Sequence, residues 1–252
     1  MIGIYFSGTG NTKHCVNLLL NELESGAKSF SIEDEAAVNA ISESEEIVFG
    51  YPVYFSNIPK IVREFFAKHG NAFSGKKVII VCTMGLFSGD GAGCAARILK
   101  KHGAKIIGGL HLKMPDCIGD NRLLKKSEKE NANIISAAEE KIRLAAKGAK
   151  SGKYPKNGLS FLHRLVGFFG QRLYFYNKPL KYCKTVKIDS KKCVSCGICV
   201  GLCPMKNIFT EDNKVVFKDR CTACYRCFSH CPKQAITVMG KKLYTQYYFK
   251  EN

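Results

Sequence analysis

The chain has 252 residues, 46% of them apolar, with 13 cysteines and a formal net charge of +18, enough apolar content for a sizeable core in one large or two modest domains. The cysteine count is odd, the opening Met1-Ile2-Gly3-Ile4-Tyr5-Phe6 reads as a strand, and no apolar run reaches the ~18 residues of a membrane span; the expectation is neither a secreted disulfide framework nor a transmembrane protein but a chain of the reducing cytoplasm, where clustered cysteines mean metal or redox chemistry. Residues 1–148 hold 19 Lys and Arg against 16 Asp and Glu, and residues 149–252 hold 20 against 5, so the basic surface belongs to the second part and favours acidic partners or an anionic membrane surface.

Residues 2–6 form a short apolar run that ends in Ser7-Gly8-Thr9-Gly10-Asn11-Thr12, after which Cys15, Val16, Leu18, Leu19 and Leu23 follow a helical pattern. Strand, small-residue turn and helix start together make an anion site: glycines let backbone N–H groups approach, hydroxyls add donors, and the helix end carries partial positive charge. The turn lacks the Gly-Lys-[Ser/Thr] ending of a nucleotide-triphosphate loop, and Lys13 breaks the Gly-x-Gly-x-x-Gly pattern of dinucleotide sites. Further strands are expected over 27–32, 46–51, 77–83 and 105–110, and helices over 58–69, 91–102 and 127–147. That alternation predicts an α/β fold, a five-stranded, doubly wound parallel sheet, with ligands at the carboxyl ends of the strands. Two more loops leave those ends. Pro52-Val53-Tyr54-Phe55-Ser56-Asn57 sets aromatics beside a tight turn, and Thr83-Met84-Gly85-Leu86-Phe87-Ser88-Gly89 is glycine-rich, so amides can approach a planar ligand.

With its [Ser/Thr]-x-Thr-Gly-Asn-Thr turn and two later loops, the stretch 1–148 resembles the flavodoxin family. The resemblance implies an FMN-binding domain. Ser7, Gly8, Thr9, Gly10, Asn11 and Thr12 would hold the phosphate. Tyr54 or Phe55, beside Pro52 and Val53, would stack on one face of the ring. Thr83, Met84, Gly85, Leu86, Phe87 and Gly89 would border the other edge. The family is typically acidic and this domain is slightly basic, which implies a different partner surface.

Residues 149–184 read as a basic, aromatic linker; 149–188 contain nine Lys and Arg and no acidic residue. Leu159, Leu162, Leu165, Val166, Phe169 and Leu173 fall near helical spacing. Three readings are open: a helix packed between two domains, an amphipathic helix on an anionic membrane, or a docking site for a partner protein. Basic aromatic stretches also bind single-stranded nucleic acid, but no nucleic-acid fold surrounds this one, and nucleic acid is not expected.

Cys193-x-x-Cys196-x-x-Cys199-x-x-x-Cys203-Pro204 is followed by Cys221-x-x-Cys224-x-x-Cys227-x-x-x-Cys231-Pro232, the same run displaced by 28 residues. Two Cys-x-x-Cys steps in succession wrap three thiolates around one iron–sulfide cube, whereas a Cys₄ zinc site shows two separated pairs. Residues 185–240 resemble a bacterial-type ferredoxin, a small α+β domain with two [4Fe–4S] clusters. That resemblance implies crossed ligation, with one cluster on Cys193, Cys196, Cys199 and Cys231 and the other on Cys221, Cys224, Cys227 and Cys203. Residues 241–252 are left as a C-terminal tail. Cys15, Cys82 and Cys94 fall on expected helices or strands and read as small buried hydrophobes; Cys117 and Cys183 have no assigned role.

The whole chain resembles the flavodoxin–ferredoxin fusion proteins of anaerobes. This implies an electron carrier linking single-electron partner proteins of acidic surface to a flavin that can store two. The alternative is an FMN-dependent reductase of a small conjugated acceptor such as a quinone, nitro compound or tetrapyrrole. A third reading is a docking module held to a membrane or complex through the linker. No acid–base pair marks a catalytic residue.

Overall fold

The computed structural model describes residues 1–54, 57–117, 124–173, 182–238 and 246–250. Strands β1 (Ile2–Tyr5), β2 (Ser29–Ser31), β3 (Glu46–Pro52), β4 (Lys77–Met84) and β5 (Lys105–Lys113) form one sheet in the order β2-β1-β3-β4-β5, every pairing parallel. The central strands are near-continuous apolar runs because both faces are covered. From β3 and β4, Ile47, Phe49, Tyr51, Val78, Ile80 and Cys82 face one core, and Val48, Ile79 and Val81 face the other. The first core is closed by α2 (Ala36–Glu43), α3 (Lys60–His69) and α4 (Gly91–Lys101), the second by α1 (Asn11–Leu23) and α5 (Glu128–Lys150). Strand order reverses between β1 and β3, so the loops after those strands open a crevice at the carboxyl edge. Cys15, Cys82 and Cys94 are buried in these cores, as their positions predict.

Helix α2 has no counterpart in the sequence pattern: it is short, and only Ala37 and Ile41 of it are buried. Helix α5 begins with a reciprocal capping box between Ser127 and Glu130 and runs on to Lys150, past the domain boundary expected at 148. Residues 154–159 then return to the sheet. Gly109 N–H donates to the Pro155 carbonyl and Asn157 N–H to the Gly109 carbonyl, both at 2.8 Å, and Tyr154 and Leu159 join the two cores. Helix α6 (Phe161–Gly167) passes into a π-helical turn, Phe168–Arg172.

The cysteine-rich part holds β6 (Lys187–Ile188), α7 (Ile198–Leu202), β7 (Ile208–Glu211), β8 (Lys214–Phe217), α8 (Arg226–Ser229) and β9 (Ile236–Thr237). β6 pairs with β9 and β7 with β8, both antiparallel. Asp212 and Asn213, at φ 46° and 59°, make the two-residue turn of the β7–β8 hairpin. The core of this part is small, built from residues such as Val186, Ile208, Phe228 and Ile236, with cysteines packed around it.

Gly50 decides how closely α1 approaches β3. A Cβ at Gly50 would overlap Val16 and come within 3.1 Å of Thr12. Gly50→Ala is therefore expected to push α1 off the sheet and lower stability by about 1–3 kcal/mol, read as a shifted urea midpoint of the first unit. An unshifted midpoint would contradict this packing account.

Candidate functional site

The turn from Ser7 to Thr12 joins β1 to α1 at the carboxyl edge. Gly10, at φ 93°, caps α1 without a side-chain hydrogen bond, and the first turn of α1 contains no acidic residue. The positive end of this 13-residue helix is thus left for an anion from outside, in contrast to α5, whose first turn carries Glu128 and Glu130. Ser7, Thr9, Asn11 and Thr12 are buried. The predicted loops are tied together. Thr12 Oγ1 and Thr83 Oγ1 share a hydrogen bond at 2.8 Å, Val53 N–H donates to the Thr83 carbonyl at 2.8 Å, and Asn11 Nδ2 donates to the Pro115 carbonyl at 2.8 Å. Beyond Met84 and Gly85 the loop runs through exposed Leu86 and Phe87 to Gly89. Phe55 lies outside the described residues, so the choice between it and Tyr54 falls there too. The uncapped helix start, the glycines and the buried hydroxyls fit an FMN phosphate. The Asn11 side chain is engaged elsewhere, which leaves its backbone N–H for that role.

At the same edge, Ser88 is buried and shares a 2.8 Å hydrogen bond with His111 Nδ1, while His111 Nε2 accepts from Ala92 N–H at 3.1 Å. The ring is therefore neutral, with its proton on Nδ1. Burial, then His163 and Lys141, lower its pKa to about 4.

The eight predicted cysteines form two groups. Cys193, Cys196, Cys199 and Cys231 line one cavity, and Cys203, Cys221, Cys224 and Cys227 line a second. Each group takes three thiols from one repeat and one from the other. The repeat is also conformational. Positive φ recurs at 28-residue intervals in the pairs Ser195 and Ala223, Gly197 and Tyr225, and Lys206 and Gln234. The N–H groups of Ser195, Asn207, Ala223 and Ala235 point at the sulfurs of Cys193, Cys203, Cys221 and Cys231 at 3.3–3.4 Å, the kind of contact that tunes a cluster's potential. Among the described residues no three His, Cys, Asp or Glu converge on a single metal ion; the thiols surround cavities instead. Burial pushes the thiol of Cys224 up to about 12, with Arg226 pulling the other way, and that of Cys227 well above the usual thiol range. Thiolates in such surroundings call for a bound cation.

A flavodoxin-domain family model matches residues 2–106, and a 4Fe-4S dicluster-domain model matches residues 185–242. The chain joins a flavodoxin domain to a 4Fe-4S dicluster domain. Electron transfer through FMN and iron–sulfur chemistry is the function these domains support. A search of curated proteins finds no match. Among solved structures, the two-electron reduced flavodoxin of Megasphaera elsdenii is 24% identical, covering 58% of this chain and 99% of its own, with a TM-score of 0.42. The flavodoxin of Fusobacterium nucleatum bound to flavin mononucleotide is 20% identical, covering 60% and 96%, with a TM-score of 0.42. A flavodoxin from the domain Archaea is 19% identical, covering 58% and 97%, at 0.39.

The two domains meet at the Ser7–Thr12 turn. The Cys224 carbonyl lies 2.6 Å from where a Gly8 Cβ would stand, and the Tyr54 hydroxyl 3.1 Å from it; Cys224 itself is packed in the first core of the flavodoxin domain. Burial, then Cys224 and Cys117, hold the Tyr54 phenol well above its usual pKa, so it stays protonated. Arg226 donates through Nε to the Gly8 carbonyl at 3.3 Å, through one terminal nitrogen to Glu33 (2.8 Å) and the Leu202 carbonyl (3.2 Å), and through the other to Glu33 (2.7 Å) and the Ser7 carbonyl (2.8 Å). Ile61 N–H donates to Thr222 Oγ1 at 3.2 Å. Residues 246–250 add a strap. Gln246 Nε2 donates to the carbonyls of Phe228 (2.7 Å) and Cys231 (2.9 Å), Tyr247 O–H donates to Asn11 Oδ1 at 2.9 Å, Phe249 N–H donates to the Thr9 carbonyl at 2.7 Å, and the Phe249 ring stacks on His14.

Sequence reasoning did not single out Arg226, Glu33, Thr222 or the strap, and it left Cys183 and Cys117 without a role. Cys183 shares a hydrogen bond with Cys221, and Cys117 is close enough to Tyr54 to shift its phenol. A usable signal was present for Arg226: at the matching place the first repeat has Ile198.

Neutral His111 gives a pH test. The unfolded chain takes up this proton near pH 6.5 and the folded chain only near 4, so its share of stability is present above about 6.5 and is lost as pH falls toward 4. His111→Gln is expected to flatten the fall in urea midpoint between pH 7 and 5 relative to the unaltered protein. Equal slopes would show that another group is responsible.

Proposed function

We propose that the chain holds one FMN and two [4Fe–4S] clusters and relays electrons in the cytoplasm between acidic, single-electron partner proteins and the flavin. FMN can take up one or two electrons and each cluster one. In this reading Cys193, Cys196, Cys199 and Cys231 hold one cluster, and Cys203, Cys221, Cys224 and Cys227 hold the other. The observation that carries the reading is Cys224, which lines the second cavity, is packed in the core of the flavodoxin domain, and lays its carbonyl against Gly8. It supports the second cavity as the station beside the flavin and the first as the outer one.

The protein's own groups then have definite tasks. The helix start and Gly8–Thr12 bind the phosphate, and Arg226 fixes the spacing between the phosphate loop and the second cavity. Tyr54, held protonated, sets its hydroxyl against Gly8 at the place where the Cys224 carbonyl also lies. N–H groups aimed at sulfur stabilise the reduced, more negative clusters. Exposed Val194, Cys196 and Ile198 beside the first cavity, near Lys191 and Lys192, offer a contact for an acidic partner.

Anaerobically purified protein is expected to carry about eight irons and one FMN per chain, and iron near four would overturn the two-cluster assignment. Arg226→Ile installs the residue that the first repeat carries at this place. It should keep both cofactors yet slow flavin reduction by a single-electron donor about tenfold, through lost positioning. An unchanged rate in stopped flow would refute the second cavity as the flavin's neighbour. Saturable two-electron turnover of a quinone, nitro compound or tetrapyrrole by the reduced protein would replace the carrier reading with the reductase one.

A further inference from the structure

Helix α6 is absorbed by neither domain. The sequence allows a helix packed between the domains, but the structure turns the apolar side outward. Phe161, Leu162, Leu165, Val166 and Phe169 recur at the spacing that puts them on one helix face, and all are exposed, Phe161 by 70% and Leu162 and Phe169 by 68% each. The opposite edge carries the single buried residue of α6, Gly167. It rests on Gly89, in a contact too close for any side chain on Gly89, and Asp90 Oδ1 lies 2.6 Å from where a Gly167 Cβ would stand. The helix thus touches the flavodoxin domain through its glycine edge and presents its phenylalanines and leucines to the surroundings. Leu86 and Phe87, each 45% exposed, precede Gly89 in the same loop. Isolated exposed apolar residues are ordinary, but a continuous strip marks an interaction surface.

Charge selects the occupant. Residues 149–188 carry nine Lys and Arg and no acidic residue, so a second copy would set two like-charged strips against each other, which is unfavourable. Phenylalanine and leucine on one face, in a segment whose charged side chains are all Lys and Arg, match the surface of an anionic bilayer: the apolar face enters the acyl boundary and the cations stay among the headgroups. No helix among the described residues is long and apolar enough to cross a membrane, so contact of this kind is peripheral. We propose that α6 is an interfacial helix that docks the protein on anionic lipid. Through the Gly89–Gly167 contact, docking brings the loop from Thr83 to Gly89 close to the bilayer surface.

The chain contains no tryptophan, so Leu162→Trp supplies a single reporter in the cofactor-loaded protein. With phosphatidylcholine vesicles containing phosphatidylglycerol, its emission should shift to the blue and be quenched by brominated acyl chains. The protein should float with those vesicles about tenfold more than with phosphatidylcholine alone, and less as salt is added. Phe161→Ser with Leu162→Ser and Phe169→Ser should abolish flotation at unchanged FMN and iron content. No blue shift and no flotation with anionic vesicles would overturn the proposal. So would flotation that survives the triple substitution, since the basic surface alone would then be binding. A concentration-dependent dimer in light scattering, lost in the triple variant, would assign the strip to a second copy instead. Should the triple variant not fold, the tryptophan shift and its salt dependence decide the matter alone.

Discussion

A guanidinium held between two domains must find five acceptors, and Arg226 finds them on three separate segments: the carbonyls of Ser7 and Gly8 in the phosphate loop, the carboxylate of Glu33 after β2, and the carbonyl of Leu202 at the end of α7. The planar fork has fixed directions, so all three must be in place at once, a demand that a lysine's point charge would not make. Much of the geometry between the domains follows. The Cys224 carbonyl can press on Gly8 only because the fork sets the distance, and Gly8 tolerates it only because it has no side chain. An ion pair of this kind adds little net stability against a well-packed apolar alternative, but removing one partner is costly. Its effect is to specify one arrangement.

The cysteine repeat shows how a nearly symmetric unit is made to face one way. Backbone conformation, N–H contacts to sulfur and cysteine spacing recur at 28 residues. The symmetry breaks between the second and third cysteines. Gly197 and Ile198 in the first repeat become Tyr225 and Arg226 in the second; Ile198 is exposed, whereas Tyr225 is buried. Cysteine spacing and backbone conformation are kept while the side chains between the cysteines differ, so one half meets the flavodoxin domain and the other meets solvent.

What the sequence disclosed follows the same division between local and distant causes. Strands buried on both faces announce themselves as apolar runs, and β1, β3 and β4 were legible within a residue or two. The turn between β1 and α1 was legible because strand, glycines and helix start are neighbours in the chain. Helix α2 was not, since two buried residues in eight give little periodicity. The helical spacing in the linker was legible, but the helix's surroundings were not: periodicity shows that a face is apolar and not what covers it. Arg226 with Glu33, and Tyr247 with Asn11, join residues about 200 or more positions apart, and no local pattern encodes such a pair.

The strap has a consequence for how the protein is made. The Ser7–Thr12 turn is synthesised well before the segment lying on Thr9, Gly10 and Asn11, which follows Cys231 in the chain and is held by Gln246 to the carbonyls of Phe228 and Cys231. The earlier-made turn must wait for its later-made cover, and that cover is anchored to a fold with only a small apolar core of its own. Where such a core relies on bound metal to fold, iron supply becomes a condition on a distant part of the chain: a cell short of iron would make a sound α/β sheet whose Ser7–Thr12 turn stands open.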